Sequence, residues 1–318
     1  MPDLIGIFQN RAVGGKICRI GDVFQLFFGK TLALRVIGVG AQDRLIIFFD
    51  IAENEIMVGL VPTRADKQRI VQFAENARAA VVVAEPVEER EVCFVMDRFG
   101  YGKVMEKNIY ERNQETVHQE YRTIVPCMNT DKLCVFTHDG WMHQIKVQDI
   151  PAGRLRDKGV PLDNLCNYDS RQEEILLIIP DRAIKENNLL FVTASSLSKL
   201  VEGKEFIVQK KKVAATKLGE GDRLIAIVPV DGQKKDSSYL VMQSEQGYFL
   251  RFPLGEISQK KKNALGIRGM SLKEDDCVKQ IYLTDASAGE HIIYKEKELY
   301  FQKIKLMSRD TRGVKVRR

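Results

Sequence analysis

Short apolar runs and polar turns alternate along this chain at a spacing that suits strands better than helices. The recurring unit is an apolar strand, a short polar turn that often holds glycine, and a second strand carrying aromatic or basic side chains. Five copies read CFVMDRFGYGKVMEKNIY from Cys93, LCVFTHDGWMHQIKVQDI from Leu133, LLFVTASSLSKLVEGKEFI from Leu189, YLVMQSEQGYFLRFPLGEI from Tyr239 and HIIYKEKELYFQKIKL from His291. Their starts lie 40, 56, 50 and 52 residues apart, which fits one small antiparallel sheet per repeat. Asp139-Gly140 and Gln246-Gly247 supply the backbone freedom of tight hairpin turns. A further strand follows an acidic step: Gly221-Asp222 before Arg223 to Val228, and Asp275-Asp276 before Cys277 to Leu283. The pattern predicts an all-β array of hairpin blades.

The first 83 residues repeat less clearly. Ile46 to Arg64 reads as a divergent hairpin, and Ile5 to Phe24 with the following GKTLALRVIGVGAQD loosely matches the Tyr239 unit and its GIRGMSLKEDD tail. Thr63 to Ala79 reads as the one helix, with Thr63 as its cap and Ile70, Phe73, Ala74 and Ala77 on one face for packing. The expected division is therefore 1–83, holding one or two extra blades and a helix, and 84–318, holding the main array.

Charge changes the picture more than composition does. From Leu190 to Arg318 there are 25 Lys and Arg against 16 Asp and Glu, whereas residues 1–189 hold 24 against 27. A basic C-terminal part without a basic amphipathic helix points to a polyanion, nucleic acid before membrane. Superposing Leu189 on Tyr239 without a gap aligns Gln209-Lys210-Lys211-Lys212 with Gln259-Lys260-Lys261-Lys262. Equivalent positions in a repeat array emerge on one edge, so the two lysine loops are expected to line one phosphate-binding track. Lys210, Lys211, Lys212, Lys260, Lys261, Lys262, Arg268, Lys303, Lys305, Arg309, Arg312, Lys315 and Arg317 are the expected phosphate contacts, with Lys103, Arg154, Arg156 and Lys158 behind them. For Arg156 and Lys158, local pairing with Asp157 and Asp163 competes with that role. Trp141, Tyr248 and Tyr300 follow hairpin turns and are expected to pack against cores or across strands.

Other chemistry finds little support. The six cysteines are scattered without a CxxC pair and read as buried thiols; the four histidines have no ligand cluster around them, so neither metal nor cofactor is expected. No apolar run has membrane-spanning length and Met1 to Phe8 lacks a signal-peptide pattern, so a cytoplasmic location is expected. No phosphate-cradling GxxxxGK and no nucleophile elbow is present. A β-propeller that binds proteins or peptides is the alternative, opposed by the clustered lysines and by the lack of GH and WD spacing.

Several of these segments resemble one family. Arg98-Phe99-Gly100-Tyr101-Gly102-Lys103 is similar to the GY.KR hairpin of the C-terminal domain of the A subunit of bacterial type IIA topoisomerases, DNA gyrase and topoisomerase IV. The run Asp149 to Leu165 (DIPAGRLRDKGVPLDNL) resembles the family's PxxRxKxxGxxxxNL segment, nearest to topoisomerase IV-like members. Ala264 to Met270 (ALGIRGM) resembles the GVRGI loop and Thr311 to Lys315 (TRGVK) the closing RGVK of a blade. The resemblance covers about Ala84 to Arg318. It implies a β-pinwheel, a propeller-like disc of five or six blades whose rim binds and bends duplex DNA. Its partners would be the ATPase B subunit together with the breakage-reunion core of the A subunit, in a nucleoid-associated setting. The gyrase box that active supercoiling needs has no counterpart after the early hairpins; Arg11 to Lys16 shares only its GGK. The family's strand-cutting tyrosine lies upstream in a winged-helix domain, and none of the nine tyrosines here has that setting, so the chain alone is expected to be non-catalytic.

Overall fold

A computed structural model describes residues 33–39, 44–51, 54–62, 88–285 and 289–316. The chain divides into two units, Met1–Pro86 and Val87–Arg318. In the first, β1 (Ala33–Val39), β2 (Arg44–Ile51) and β3 (Asn54–Pro62) form an antiparallel meander, with β2 and β3 as the hairpin expected near Ile46. The helix expected over Thr63 to Ala79 lies outside the described residues.

The second unit is built from the five repeats. Its strands are β4 (Glu91–Asp97), β5 (Tyr101–Glu106), β6 (Tyr121–Met128), β7 (Lys132–Thr137), β8 (Trp141–Lys146), β9 (Val160–Pro161), β10 (Ile175–Pro180), β11 (Asn187–Thr193), β12 (Leu197–Glu202), β13 (Lys212–Ala214), β14 (Leu224–Asp231), β15 (Ser238–Ser244), β16 (Tyr248–Pro253), β17 (Ile267–Arg268), β18 (Val278–Asp285), β19 (His291–Tyr294), β20 (Lys297–Tyr300) and β21 (Val314–Lys315). The sheets run β6-β4-β5-β9, β10-β7-β8-β13, β14-β11-β12-β17 and β18-β15-β16-β21, with β19-β20 as a fifth hairpin. Each of the first four blades therefore closes with a fourth strand that the chain supplies only after building the next hairpin. This exchange of strands is the pinwheel arrangement.

Local chemistry explains the hairpins. In the first blade Gly100 N–H donates to Asp97 O, and Gly100 takes φ +84°; Gly140 and Gly247 do the same at +79° and +81°. Left-handed backbone at this position closes the turn at no steric cost for glycine. Ser196 fills the site in the third blade at φ +70°. The acidic steps noted in the sequence stabilise these turns: Asp222 accepts from Ser195 N–H at 3.0 Å, and Asp276 from Gln246 N–H at 3.1 Å. A one-residue bulge recurs in the third strand of all four complete blades, at Arg122, Leu176, Ile225 and Lys279.

Blades stack face to face, so their hairpins are buried on both sides, which is why they read as unbroken apolar runs. Phe94 and Met96 of the first blade meet Leu133 and Val135 of the second; Cys134 and Phe136 meet Leu189 and Phe191 of the third; Leu190 and Val192 meet Leu240 and Met242 of the fourth. Val241 and Phe249 then meet Phe301 and Ile304 beside the fifth hairpin. The outward face of the first blade, with Cys93, Val95 and Met105, is covered by α1 (Lys107–Arg112) and α2 (Gln114–Glu120) through Ile109, Tyr110 and Val117. A third short helix, α3 (Asp181–Glu186), fills the junction of the second and third blades with Ile184. The sequence pattern did not indicate these helices, because each spans less than two full turns and buries one residue or none.

Two edges remain. Third strands β6, β10, β14 and β18 approach one another in order and form the inner edge, where Pro126, Pro180 and Pro229 stand on edge strands that tolerate a missing N–H. Fourth strands form the opposite, outer edge. Each is reached by a linker that starts at an isoleucine and ends at the β-strand residue paired to the second strand of a hairpin: Ile150 to Val160, Ile207 to Val213, Ile257 to Ile267 and Ile304 to Val314. Three of these linkers have a glycine just before the strand, packed on the neighbouring backbone. A Cβ would stand 2.4 Å from Gly102 O at Gly159, 2.7 Å from Ser198 N at Gly266 and 2.3 Å from Phe249 O at Gly313.

Gly313→Ala should therefore cost roughly 3 kcal/mol or more in urea unfolding, combining a left-handed φ with a backbone clash. Gly221→Ala, at φ +70° with open space around it, should cost about 1–2 kcal/mol. Equal losses would show that the clash at the outer edge is relieved without disturbing the fourth strand.

Candidate nucleic-acid interface

The linkers are where the positive charge sits. Residues 147–161 carry three cations against two acids, 203–214 four against one, 254–268 four against one and 301–315 five against one. Apart from Lys103, which is buried, and Arg317, which lies outside the described residues, every cation expected to touch phosphate stands on one of these four segments.

Their surroundings differ. Arg154, Arg156 and Lys158 are exposed on the first linker; neither Arg156 nor Lys158 is in an ion pair among the described residues, and Asp157 accepts from Arg154 N–H at 2.7 Å and Asp163 from Ser170 Oγ–H at 2.7 Å. Lys210 and Lys211 are exposed without an ion-pair partner among the described residues. Lys212 is half-buried, pairs with Glu173 at 3.1 Å and lies 4.9 Å over the Trp141 ring. On the third linker Lys260 is half-buried, Lys261 reaches Glu205 at 3.3 Å from a position 83% exposed, and Lys262 donates to Glu205 O at 3.2 Å. Arg268 is exposed and pairs with Asp310 at 3.3 Å, while Arg309 donates to Arg268 O at 3.2 Å. Lys303 and Lys305 are exposed, Lys303 lying over Tyr300. Arg312 and Lys315 flank the half-buried Tyr248 ring at 4.4 and 5.3 Å. Tyr248 packs against the core between the third and fourth blades, as expected. Trp141 stays 39% exposed and packs across strands under the Lys212 ammonium of β13.

Lys103 requires a correction. It is 1% exposed, and its ammonium donates to Arg154 O at 2.7 Å, Leu155 O at 2.8 Å and Asp157 O at 2.7 Å. An ammonium has three donors, and all are engaged, so none is left for a phosphate. Lys199, absent from the expected phosphate contacts, repeats this arrangement in the third blade at 2% exposure, donating to Lys261 O, Lys262 O and Ala264 O. Burial pushes its ammonium down to about 8, and Glu205 opposes that shift. The signal was a lysine in mid-strand ahead of the apolar pair Leu200-Val201, at the place Lys103 occupies in its own hairpin.

The second blade solves the same position differently. His143 stands where Lys103 and Lys199 do; its Nε2–H donates to Glu173 at 2.7 Å, and Lys212 holds the other carboxylate oxygen. Burial lowers the His143 pKa below the usual imidazole range, against the pull of Glu173. Burial also pushes the Glu173 carboxyl up, but the bonds from His143 and Lys212 outweigh it and leave it below the usual range.

With this geometry in view, residues 187–231 and 238–284, which run from β11 to β14 and from β15 to β18, match the family model described as DNA gyrase C-terminal domain, beta-propeller. These blades belong to that family. The A subunit of DNA gyrase from Lawsonia intracellularis is 23% identical over 210 residues, 62% of this chain and 25% of the relative. The A subunit of DNA topoisomerase 4 from Bacillus subtilis is 32% identical over 152 residues, 47% of this chain and 18% of the relative. The chain thus spans about a quarter or less of these two relatives' length. Among solved structures, the C-terminal domain of DNA topoisomerase IV shares the fold at TM-score 0.64 and 23% identity, over 72% of this chain and 73% of that one. The E. coli ParC C-terminal domain does so at 0.57 and 14%, over 72% and 94%. Among the described residues no helix is long and apolar enough to cross a membrane.

His143 and Glu173 both titrate lower in the fold than in the unfolded chain, so their contribution to stability is complete above the ordinary imidazole pKa of about 6.5 and is lost as pH falls. Thermal unfolding should show the midpoint dropping between about pH 7 and pH 5. The drop should be shallower in His143→Gln, which keeps a donor for Glu173 but has no proton to gain. An unchanged slope in that variant would assign the acid sensitivity to other groups.

Proposed function

We propose that this chain binds and bends duplex DNA along the outer edge of its blades. In this reading it is the non-catalytic DNA-handling domain of a type II topoisomerase A subunit, working in the cytoplasm on the nucleoid beside the breakage-reunion core and the ATPase B subunit. The observation that carries the reading is the concentration of cations on the four linkers, one per complete blade, all on the edge opposite the packed third strands. A duplex laid across successive blades would meet a cluster of positive charge at each, releasing condensed counterions. Bending 20 to 30 base pairs by a large angle costs on the order of 1–10 kcal/mol, which several such contacts can offset. The linkers offer neither a recognition helix nor a set of amides aimed at base edges, so recognition would rest on the backbone and its deformability. The family match of the third and fourth blades and the similarity to A subunits of DNA gyrase and DNA topoisomerase 4 support the same reading.

Fluorescence anisotropy with a labelled duplex over a range of salt tests it. Lys210→Ala with Lys211→Ala should weaken binding and reduce the salt slope by about two contacts' worth, near 0.9 each. Lys212→Ala should change the slope less, because Glu173 already neutralises that ammonium. A wild-type chain that fails to bind duplex at low salt would overturn the proposal in favour of a protein-binding propeller.

A further inference from the structure

The two buried lysines share a geometry that their sequences do not announce. Lys103 donates to the carbonyls four, five and seven residues past Ile150, and Lys199 to the carbonyls four, five and seven residues past Ile257. The linkers themselves, PAGRLRDKGV and SQKKKNALGI, have almost nothing in common beyond the glycine before the strand. The common element is main chain, and a buried ammonium reads main-chain oxygens regardless of side chain.

We infer that Lys199 is a positioning residue for the duplex-binding edge: by drawing the Lys261, Lys262 and Ala264 carbonyls inward, it fixes the linker so that the Lys260, Lys261 and Lys262 side chains are presented together. The inference rests on the DNA-binding reading above. Around the clamp, Glu205 accepts from Lys262 N–H at 3.0 Å and pairs with Lys261, and the Phe191 ring of β11 lies 5.7 Å from the ammonium. These contacts hold the same loop from the other side. Without the ammonium the Lys262 and Ala264 carbonyls would lose their donor, Lys261 O keeping only the Ala264 N–H at 3.0 Å, and the linker would rearrange to hydrate them.

The lysine loop of the second blade is a natural control. Its linker is shorter by four residues, His143 replaces the lysine, and the Lys211 carbonyl is held by the Gln144 N–H at 2.8 Å instead of by a buried ammonium. Preorganisation matters for binding because each side chain or loop ordered on association subtracts from affinity.

Limited trypsin digestion of the full chain reports the clamp directly, since both loops offer lysines to the protease. Lys199→Met should speed cleavage at 260–262 about tenfold and leave cleavage at 210–212 unchanged, because cleavage requires local opening. An unchanged rate at 260–262 in Lys199→Met would overturn the clamp. In duplex titrations Lys199→Met should lose affinity by about three- to tenfold, and adding it to the Lys260, Lys261 and Lys262→Ala triple should cost nothing further. Additive losses would mean that Lys199 supports the fold in general and does not position these lysines. Wild-type affinity in Lys199→Met would likewise overturn the inference. No duplex binding by the wild type would remove the DNA-binding reading and the positioning role with it, while the trypsin ratio still reports whether the clamp exists.

Discussion

Each blade of the second unit is finished by a strand that arrives only after the next hairpin has been built, and the rest of the structure follows from that constraint. To supply β9, β13, β17 or β21 the chain must leave a new hairpin, travel back along the outer edge and pair with the second strand of the blade before. The return path fixes where the linkers lie, how long they are and where they need glycine. It also ties neighbouring blades by main-chain hydrogen bonds as well as by side-chain packing, so the repeats depend on one another more than in a simple stack.

The first repeat departs from this scheme in an informative way. Between β5 and β6 the chain returns no strand to an earlier blade; it forms α1 and α2, which cover the face that a preceding blade would otherwise bury. Within the second unit, Cys93, Val95 and Met105 therefore find their apolar partners in helices. The third position of the second hairpin strand shows a parallel economy. It is buried in every complete blade, as Lys103, His143, Lys199 and Leu250, and the residue type follows the groups that face it. Inward carbonyls match a lysine, a buried carboxylate from Glu173 matches a histidine, and Leu250 joins the apolar core while neighbouring Arg251 takes the Phe301 and Gln302 carbonyls.

Much of this was legible in the sequence because it depends on local chemistry. The five hairpins begin where the apolar runs begin, the turn glycines adopt the left-handed backbone that their position requires, and the acidic steps stabilise the turns. The superposition of the two QKKK segments is also meaningful: both start two residues past the linker isoleucine. Other features were not legible, and for a common reason. Strand exchange joins segments more than 50 residues apart, and β9, β17 and β21 are two residues long, too short for any alternation to register. Lys103 was read as a surface cation because periodicity cannot distinguish an ammonium facing water from one facing three carbonyls contributed 51 to 54 residues later.

The distribution of charge is then a consequence of topology. In the complete blades both sheet faces are committed to packing and the third strands approach their neighbours, which leaves the linkers, with the turns and short helices, to carry a surface function. Net charge on them rises along the chain, from one on the first linker to three, three and four on those that follow. In the proposed DNA complex this gradient would place the strongest attraction at the later blades and the weakest at the first. A duplex would then be captured at one part of the edge and bent progressively toward the other, with the bending energy drawn from contacts made in sequence. Clamped loops suit that order of events, because a contact made after the duplex is already bent gains most when its lysines need no further ordering.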